Sequence, residues 1–229
     1  MKIIKKVSFL LFLLLLSNSI VAQKNNKAII KTVIESYFEA IGGKEKATQI
    51  HSFSSVSSST LNDKKIVLTK KLMLPNLFYS EMEYDGYVVS KNTFDGKKGT
   101  TMQQDVETKF SATELKRHKK NRSIFPEFDY LKTASYLGIE TVDKKDCHVL
   151  EIENVKVYYA IDTGLKIKGI SLQEKDGHSF LQELYFSKYI EIEGLLFPSN
   201  LLMLAGNNKI EFQTRSILIN RDVSKKDFK

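Results

Sequence analysis

The chain has 229 residues, 42% of them hydrophobic, 27% charged and 10% aromatic, with only three prolines. That composition excludes collagen-like, mucin-like and fully disordered chains and is ample for a packed core in one domain or two small ones. The one cysteine, Cys147, excludes an intramolecular disulfide framework, and four histidines leave few routes to a zinc site.

The first residues read as an export leader. Lys2, Lys5 and Lys6 precede an apolar run from Val7 to Leu16, and Ser17 to Ala22 is small and polar. Ten apolar residues make about 15 Å of helix, half of what a membrane span needs. The reading is a leader over 1–22, cleavage after Ala22, and a mature domain over 23–229 in the periplasm. No cysteine near the junction offers a site for a lipid anchor. Removing the leader takes away three lysines and no acid, which lowers the formal net charge from +8 to +5. Only four of the 35 basic residues are arginine, and guanidinium forks usually carry base and phosphate recognition, so nucleic acid is not an expected partner.

Along the mature chain, Ile30, Val33, Ile34, Tyr37, Phe38 and Ile41 recur at helical spacing before Gly42-Gly43, which predicts one amphipathic helix with a glycine stop. From His51 onward, segments rich in β-branched and aromatic residues alternate with the turn pairs Asp85-Gly86, Asp95-Gly96, Asp176-Gly177 and Asn207-Asn208. Strands are predicted over 51–59, 64–74, 77–84, 87–94, 98–103, 147–153, 155–162, 165–174, 178–193, 195–204 and 208–219, as antiparallel neighbours. In the long segment after Gly177, Phe180, Leu184, Phe186, Ile190 and Ile192 share one parity and Glu183, Tyr185 and Glu191 the other, so one face is oily. A parity change near Gly169 suggests a bulge at that glycine.

Between the two strand blocks, Ser111-Ala112-Thr113-Glu114 is a capping-box pattern that opens a basic helix. Its Lys116, Arg117, Lys119, Lys120 and Arg122 could meet an anionic membrane surface or an acidic protein, although a solvated face is the commoner explanation of such a run. An aromatic crossing through Phe125, Phe128, Tyr130 and Tyr136 follows. The fold class is α+β: a large curved antiparallel sheet, an unclosed β-barrel, wrapped around one or two helices.

Little in the sequence carries chemistry. Cys147 and His148 are adjacent and on a strand point to opposite faces, so they cannot converge on one ion. The pairs Glu151/Glu153 and Glu191/Glu193 have a spacing that puts both carboxylates on one strand face, where solvent is their ordinary partner. No nucleophile motif and no phosphate-binding loop is present. The sequence specifies no catalytic residue, no metal and no cofactor.

The order of pieces resembles the bacterial outer-membrane lipoprotein-sorting, LolA-like group. The resemblance rests on Tyr37-Phe38-Glu39-Ala40-Ile41-Gly42-Gly43-Lys44-Glu45-Lys46, Thr93-Phe94-Asp95-Gly96-Lys97-Lys98-Gly99, Leu137-Gly138-Ile139-Glu140, Tyr158-Tyr159-Ala160-Ile161-Asp162-Thr163-Gly164-Leu165 and Gly194-Leu195-Leu196-Phe197-Pro198. Relatives often carry a tryptophan after the Gly99 position, where this chain has Thr100-Thr101. The resemblance implies a half-barrel whose hydrophobic cavity holds lipid or lipoprotein acyl chains in the periplasm, without catalysis, as carrier or sensor. Met82, Phe94, Leu184 and Phe186 are the expected cavity-lining residues, being large and lying near the middle of their strands. The alternatives are a small outer-membrane β-barrel and an envelope interaction module without ligand.

Overall fold

The computed structural model describes residues 26–120, 123–175 and 178–229. The predicted leader with its cleavage point, Arg122 and the Asp176-Gly177 turn lie outside the described residues. The chain order is helix α1 (26–40), α2 (Lys44–Thr48), β1 (Ser52–Leu61), β2 (Lys64–Met73), β3 (Leu77–Tyr84), β4 (Tyr87–Phe94), β5 (Gly99–Gln103) and β6 (Val106–Lys109). A crossing follows, made of α3 (Ala112–Lys120), a 3-10 turn (Pro126–Asp129) and α4 (Tyr130–Thr133). The second block is β7 (Ser135–Val142), β8 (Lys145–Ile152), β9 (Val155–Ala160), β10 (Lys166–Lys175), β11 (His178–Ile192), β12 (Leu195–Ala205) and β13 (Asn208–Ile219), and a 3-10 turn (Lys225–Phe228) ends the chain.

All thirteen strands form one antiparallel sheet in the order β6-β5-β4-β3-β2-β1-β13-β12-β11-β10-β9-β8-β7. Two meanders, β1 to β6 and β7 to β13, meet where β1 pairs with β13. Chain neighbours within each meander are sheet neighbours because short turns, most of them of two residues, join them. At Asn62-Asp63, Asp85-Gly86, Gln104-Asp105, Asp143-Lys144, Glu153-Asn154 and Glu193-Gly194 both central residues have positive φ, the geometry that matches the twist of a hairpin. The sheet curves as an open half-barrel with β6 and β7 as free edges. An open sheet does not meet the requirement of a membrane barrel, which must close so that no edge is left in lipid.

Helix α1, described from residue 26, buries its predicted stripe completely: Ile30, Val33, Ile34, Tyr37, Phe38 and Ile41 are each at most 5% exposed. They pack against Leu150 and Val157 of β8 and β9, Leu195 and Phe197 of β12, Ile217 and Ile219 of β13, and Phe125 and Tyr130 of the crossing. Each large apolar side chain so buried contributes about 1.5–3 kcal/mol. The helix stops where it must: a Cβ on Gly42 would lie 2.2 Å from the carbonyl oxygen of Gly194, and the next contact, Leu196 N–H to Ile41 C=O, is 2.8 Å. A side chain at 42 would lift α1 off the β11–β12 turn.

The eleven predicted strands correspond to β1–β5 and β8–β13. Two strands are additional. β6 is four exposed residues with no oily face, and β7 carries Gly138 at φ 115 with a bulge between Tyr136 and Gly138 that breaks its alternation. The bulge expected at Gly169 lies instead between Lys166 and Lys168, and Gly169 pairs regularly with Leu184. The turn expected at Asn207-Asn208 is shifted back by one residue, since β12 ends at Ala205 and β13 begins at Asn208.

Candidate ligand-binding hollow

The face of the sheet that looks toward α1 can be followed residue by residue through the pairing. Lys166 of β10 marks it, because its Nζ lies 5.5 Å from the ring centre of Tyr37 on α1 and 5.5 Å from that of Phe186 on β11. Phe186 stands opposite Leu201, which stands opposite Phe212; the next row is Leu184, Met203 and Ile210. Phe212 is buried, whereas Leu184, Phe186, Leu201, Met203 and Ile210 are only half-buried, since α1 covers the other end of these strands. They form an apolar wall that no element among the described residues covers.

The middle of the floor is low. On β1 the inward positions are Ser55 and Ser57, and Ser57 Oγ meets Thr214 Oγ1 of β13 at 3.3 Å. Short hydroxyl side chains there leave space that leucines would fill. The opposite wall continues through Leu68 of β2, which pairs with Ser57 on one side and Met82 of β3 on the other.

One polar cluster pins the crossing over this hollow. Glu127, completely buried, accepts a hydrogen bond from Lys166 Nζ at 2.7 Å and from the Tyr159 hydroxyl at 3.1 Å, both at Oε1. Its Oε2 has no partner among the described residues. Burial opposes the Lys166 charge, but Glu127, Tyr37 and Tyr130 outweigh it and hold that ammonium above its ordinary range. Burial, together with the carboxylate, pushes the Tyr159 hydroxyl up and the Tyr130 hydroxyl to about 12, and burial raises Tyr189 to about 12 as well. These phenols stay protonated and act as donors and packing surface.

A second lysine enters from the other half of the sheet. Lys70 of β2 borders a cavity of about 160 Å³ with Leu72, Phe78, His118, Ile124 and Pro126. Its side chain is accessible to solvent, yet enclosure by protein and then the Lys166 charge hold its ammonium below the usual range. Lys70 makes no ion pair among the described residues, whereas its neighbour Lys71 points to the opposite face and bonds to Asp227.

Of the four expected lining residues, Leu184 and Phe186 stand side by side on the apolar wall, and Met82 stands on the facing wall across β2, β1, β13 and β12. Phe94 is in the same parity but fully buried under α3, its ring centre 6.2 Å from Phe110 and 5.2 Å from His118. Phe110 reaches that place because residue 99 is glycine: a Cβ there would lie 2.1 Å from its ring. Glu127, Lys166 and Lys70 went unnoticed in the sequence; the signal available was a charge set among apolar neighbours, as in Phe125-Pro126-Glu127-Phe128 and Leu165-Lys166-Ile167.

The capping box forms as expected, with Glu114 accepting from the Ser111 N–H at 2.7 Å, and no residue of α3 is fully buried, although His118 is half-buried against the aromatic rings beneath it. Lys116, Arg117, Lys119 and Lys120 therefore lie along its surface, where Arg117 and Lys120 rim a second cavity of about 520 Å³ with Tyr130, Ile152 and Val157, and Lys120 pairs with Glu153 at 3.5 Å. Cys147 is buried with Val149, Tyr158 and Ala160 on the outer side, while the His148 ring meets the Tyr136 hydroxyl at 3.2 Å, so the two do not converge. Glu153 and Glu193 fall in turns rather than on strands, which separates each from its expected carboxylate partner. Among the described residues no group of His, Cys, Asp or Glu could hold a metal ion, and no helix is long and apolar enough to cross a membrane.

No family model and no curated protein matches the sequence. Solved structures do match in shape. A DUF1329 family protein from Desulfovibrio piger superposes with a TM-score of 0.54 at 13% identity, covering 87% of this chain and 97% of that one. A LolA superfamily protein from Nitrosomonas europaea gives 0.52 at 12% identity, covering 86% and 96%. The fold is LolA-like. In this LolA-like sheet the apolar wall on β11–β13 and the mixed wall on β2–β3 face each other across the serine floor, with Lys166 and Lys70 between them.

Proposed function

We propose that the mature protein is an exported, periplasmic carrier or sensor that holds a long apolar chain, from a lipid or a lipoprotein acyl group, in the hollow between α1 and the sheet, and does no chemistry on it. The observation that carries this reading is the half-buried row of Leu184, Phe186, Leu201 and Met203, which no element among the described residues covers. The LolA-like fold and the resemblance of the sequence motifs support it. Removing such a wall from water supplies about 25 cal/mol per Å², less the cost of association, so the acyl part should be bound with little regard to chain identity.

The test is titration of the delipidated mature chain with an anthroyloxy-labelled stearoyl probe, beside native mass spectrometry of the protein as purified. Saturable one-to-one binding is expected, weakened at least tenfold by Phe186→Glu in a variant whose melting is unchanged. Absence of saturable binding by the unaltered chain would overturn the reading and leave an interaction module.

A further inference from the structure

The inner surface of the hollow is not uniformly oily, and its polar part is organised. Lys70 stands between Ser55 of β1 and Ser80 of β3 in the pairing, Ser80 pairs with Asn92 of β4, and Asn92 with Thr101 of β5. Hydrogen bonds run along this row: Asn92 Nδ2 donates to Ser80 Oγ at 3.3 Å, and Thr101 Oγ1 donates to Asn92 Oδ1 at 2.8 Å. The row crosses the N-terminal half of the sheet and ends at Lys70, whose ammonium has three donors and no carboxylate within reach among the described residues.

The facing half of the sheet is oilier. Leu184, Phe186, Leu201, Met203 and Phe212 line it, its inward polar residues Ser171, Gln173 and Gln182 are uncharged and lie toward the far ends of β10 and β11, and the Lys166 ammonium is paired with Glu127. The hollow is therefore amphipathic, with the Lys70 ammonium, unpaired among the described residues, at the polar wall and mostly hydrocarbon surface at the other.

We propose that the ligand of this hollow is a single-chain amphiphile with a carboxylate head, held by Lys70 and the flanking Ser55 and Ser80 hydroxyls, its chain laid over Phe186, Leu201 and Met203. The assignment rests on the acyl-binding reading above and names the head group that reading leaves open. A monovalent head matches the one lysine without an ion pair among the described residues of this wall; a phosphate would bring more charge than one ammonium balances. Enclosure and then the Lys166 charge disfavour the Lys70 ammonium, and a carboxylate beside it would offset the second of these.

The experiment measures displacement of the anthroyloxy-stearoyl methyl ester from delipidated mature chain by oleate, methyl oleate and oleoyl lysophosphatidate near neutral pH. Oleate should bind about tenfold more tightly than methyl oleate, in keeping with a hydrogen-bonded ion pair, and more tightly than the lysophosphatidate. Lys70→Met should bind oleate and methyl oleate within twofold of each other while holding the ester as the unaltered chain does, which shows that the site is intact. Lys70→Gln, one atom shorter and neutral but still a donor, serves as the second variant and should lose the preference likewise, and Lys70→Arg should restore it. Equal affinity of the unaltered chain for acid and ester, a preference that survives Lys70→Met and Lys70→Gln, or a stronger lysophosphatidate complex would overturn the carboxylate assignment alone. If none of the ligands binds, the acyl-binding reading itself falls.

Discussion

Lys166 Nζ sits 2.7 Å from Glu127 Oε1, joining β10 to the crossing through residues 39 positions apart in the chain. The carboxylate is completely buried and the lysine side chain is 19% exposed, so neither charge can be left alone without loss. Lys166→Met should destabilise the protein by about 3–5 kcal/mol, because it strands a buried carboxylate. The double variant Lys166→Met/Glu127→Leu should recover most of that loss, as apolar replacements of buried pairs commonly do. Denaturant titration of the three proteins tests the coupling. Additive losses in the double variant would show that the two groups act independently.

The α1 stripe makes the helix the central beam of the structure. Phe38 is 1% exposed and lies 4.5 Å, ring to ring, from Phe128, and Ile34 is 4% exposed. Phe38→Ala should cost about 3–5 kcal/mol and Ile34→Ala about 2–5 kcal/mol, from lost transfer energy and the cavity left behind. A change below about half a kcal/mol at both positions, far under that range, would show that α1 lies outside the core.

These elements differ in how plainly the sequence announced them. The α1 stripe and the strands β1–β5 and β8–β13 were legible because each repeats a local period, 3.6 or 2, and most of their turns carry glycine or asparagine. β6 and β7 were not: the turns Gln104-Asp105 and Asp143-Lys144 place non-glycine residues at positive φ, and neither strand has an unbroken oily face. The hollow was half legible. Leu184 and Phe186 announced themselves by parity, but the adjacent Lys70 and Lys71 look alike in the sequence, and only the register with Ser55 and Ser80 turns one inward while the other bonds to Asp227 outside. The Glu127–Lys166 pair depends on the path of the crossing, which no local period encodes.

The docking of α3 should depend on pH through His118. Its ring lies 5.1 Å from Phe78, 5.2 Å from Phe94 and 4.9 Å from Phe110, centre to centre, the last nearly parallel. Burial among these rings, then the Arg117 charge, lowers its proton affinity, while Glu114 raises it; Lys70 borders the same cavity from β2 and adds positive charge there. The folded state thus prefers the neutral ring, and the unfolded or undocked chain, with its ordinary value of 6.5, binds the proton first. The sign follows: this contribution to stability is full above pH 6.5 and is lost as the pH falls from there toward the lower folded value. Amide hydrogen exchange over residues 112–120, corrected for intrinsic rates, should show weaker protection at pH 5.5 than at pH 7.5, while α1 stays protected. His118→Phe keeps a flat ring in the aromatic slot and removes the titration, so its α3 should be equally protected at both pH values. Protection that falls to the same extent in His118→Phe would assign the pH response to another group and leave His118 as packing alone.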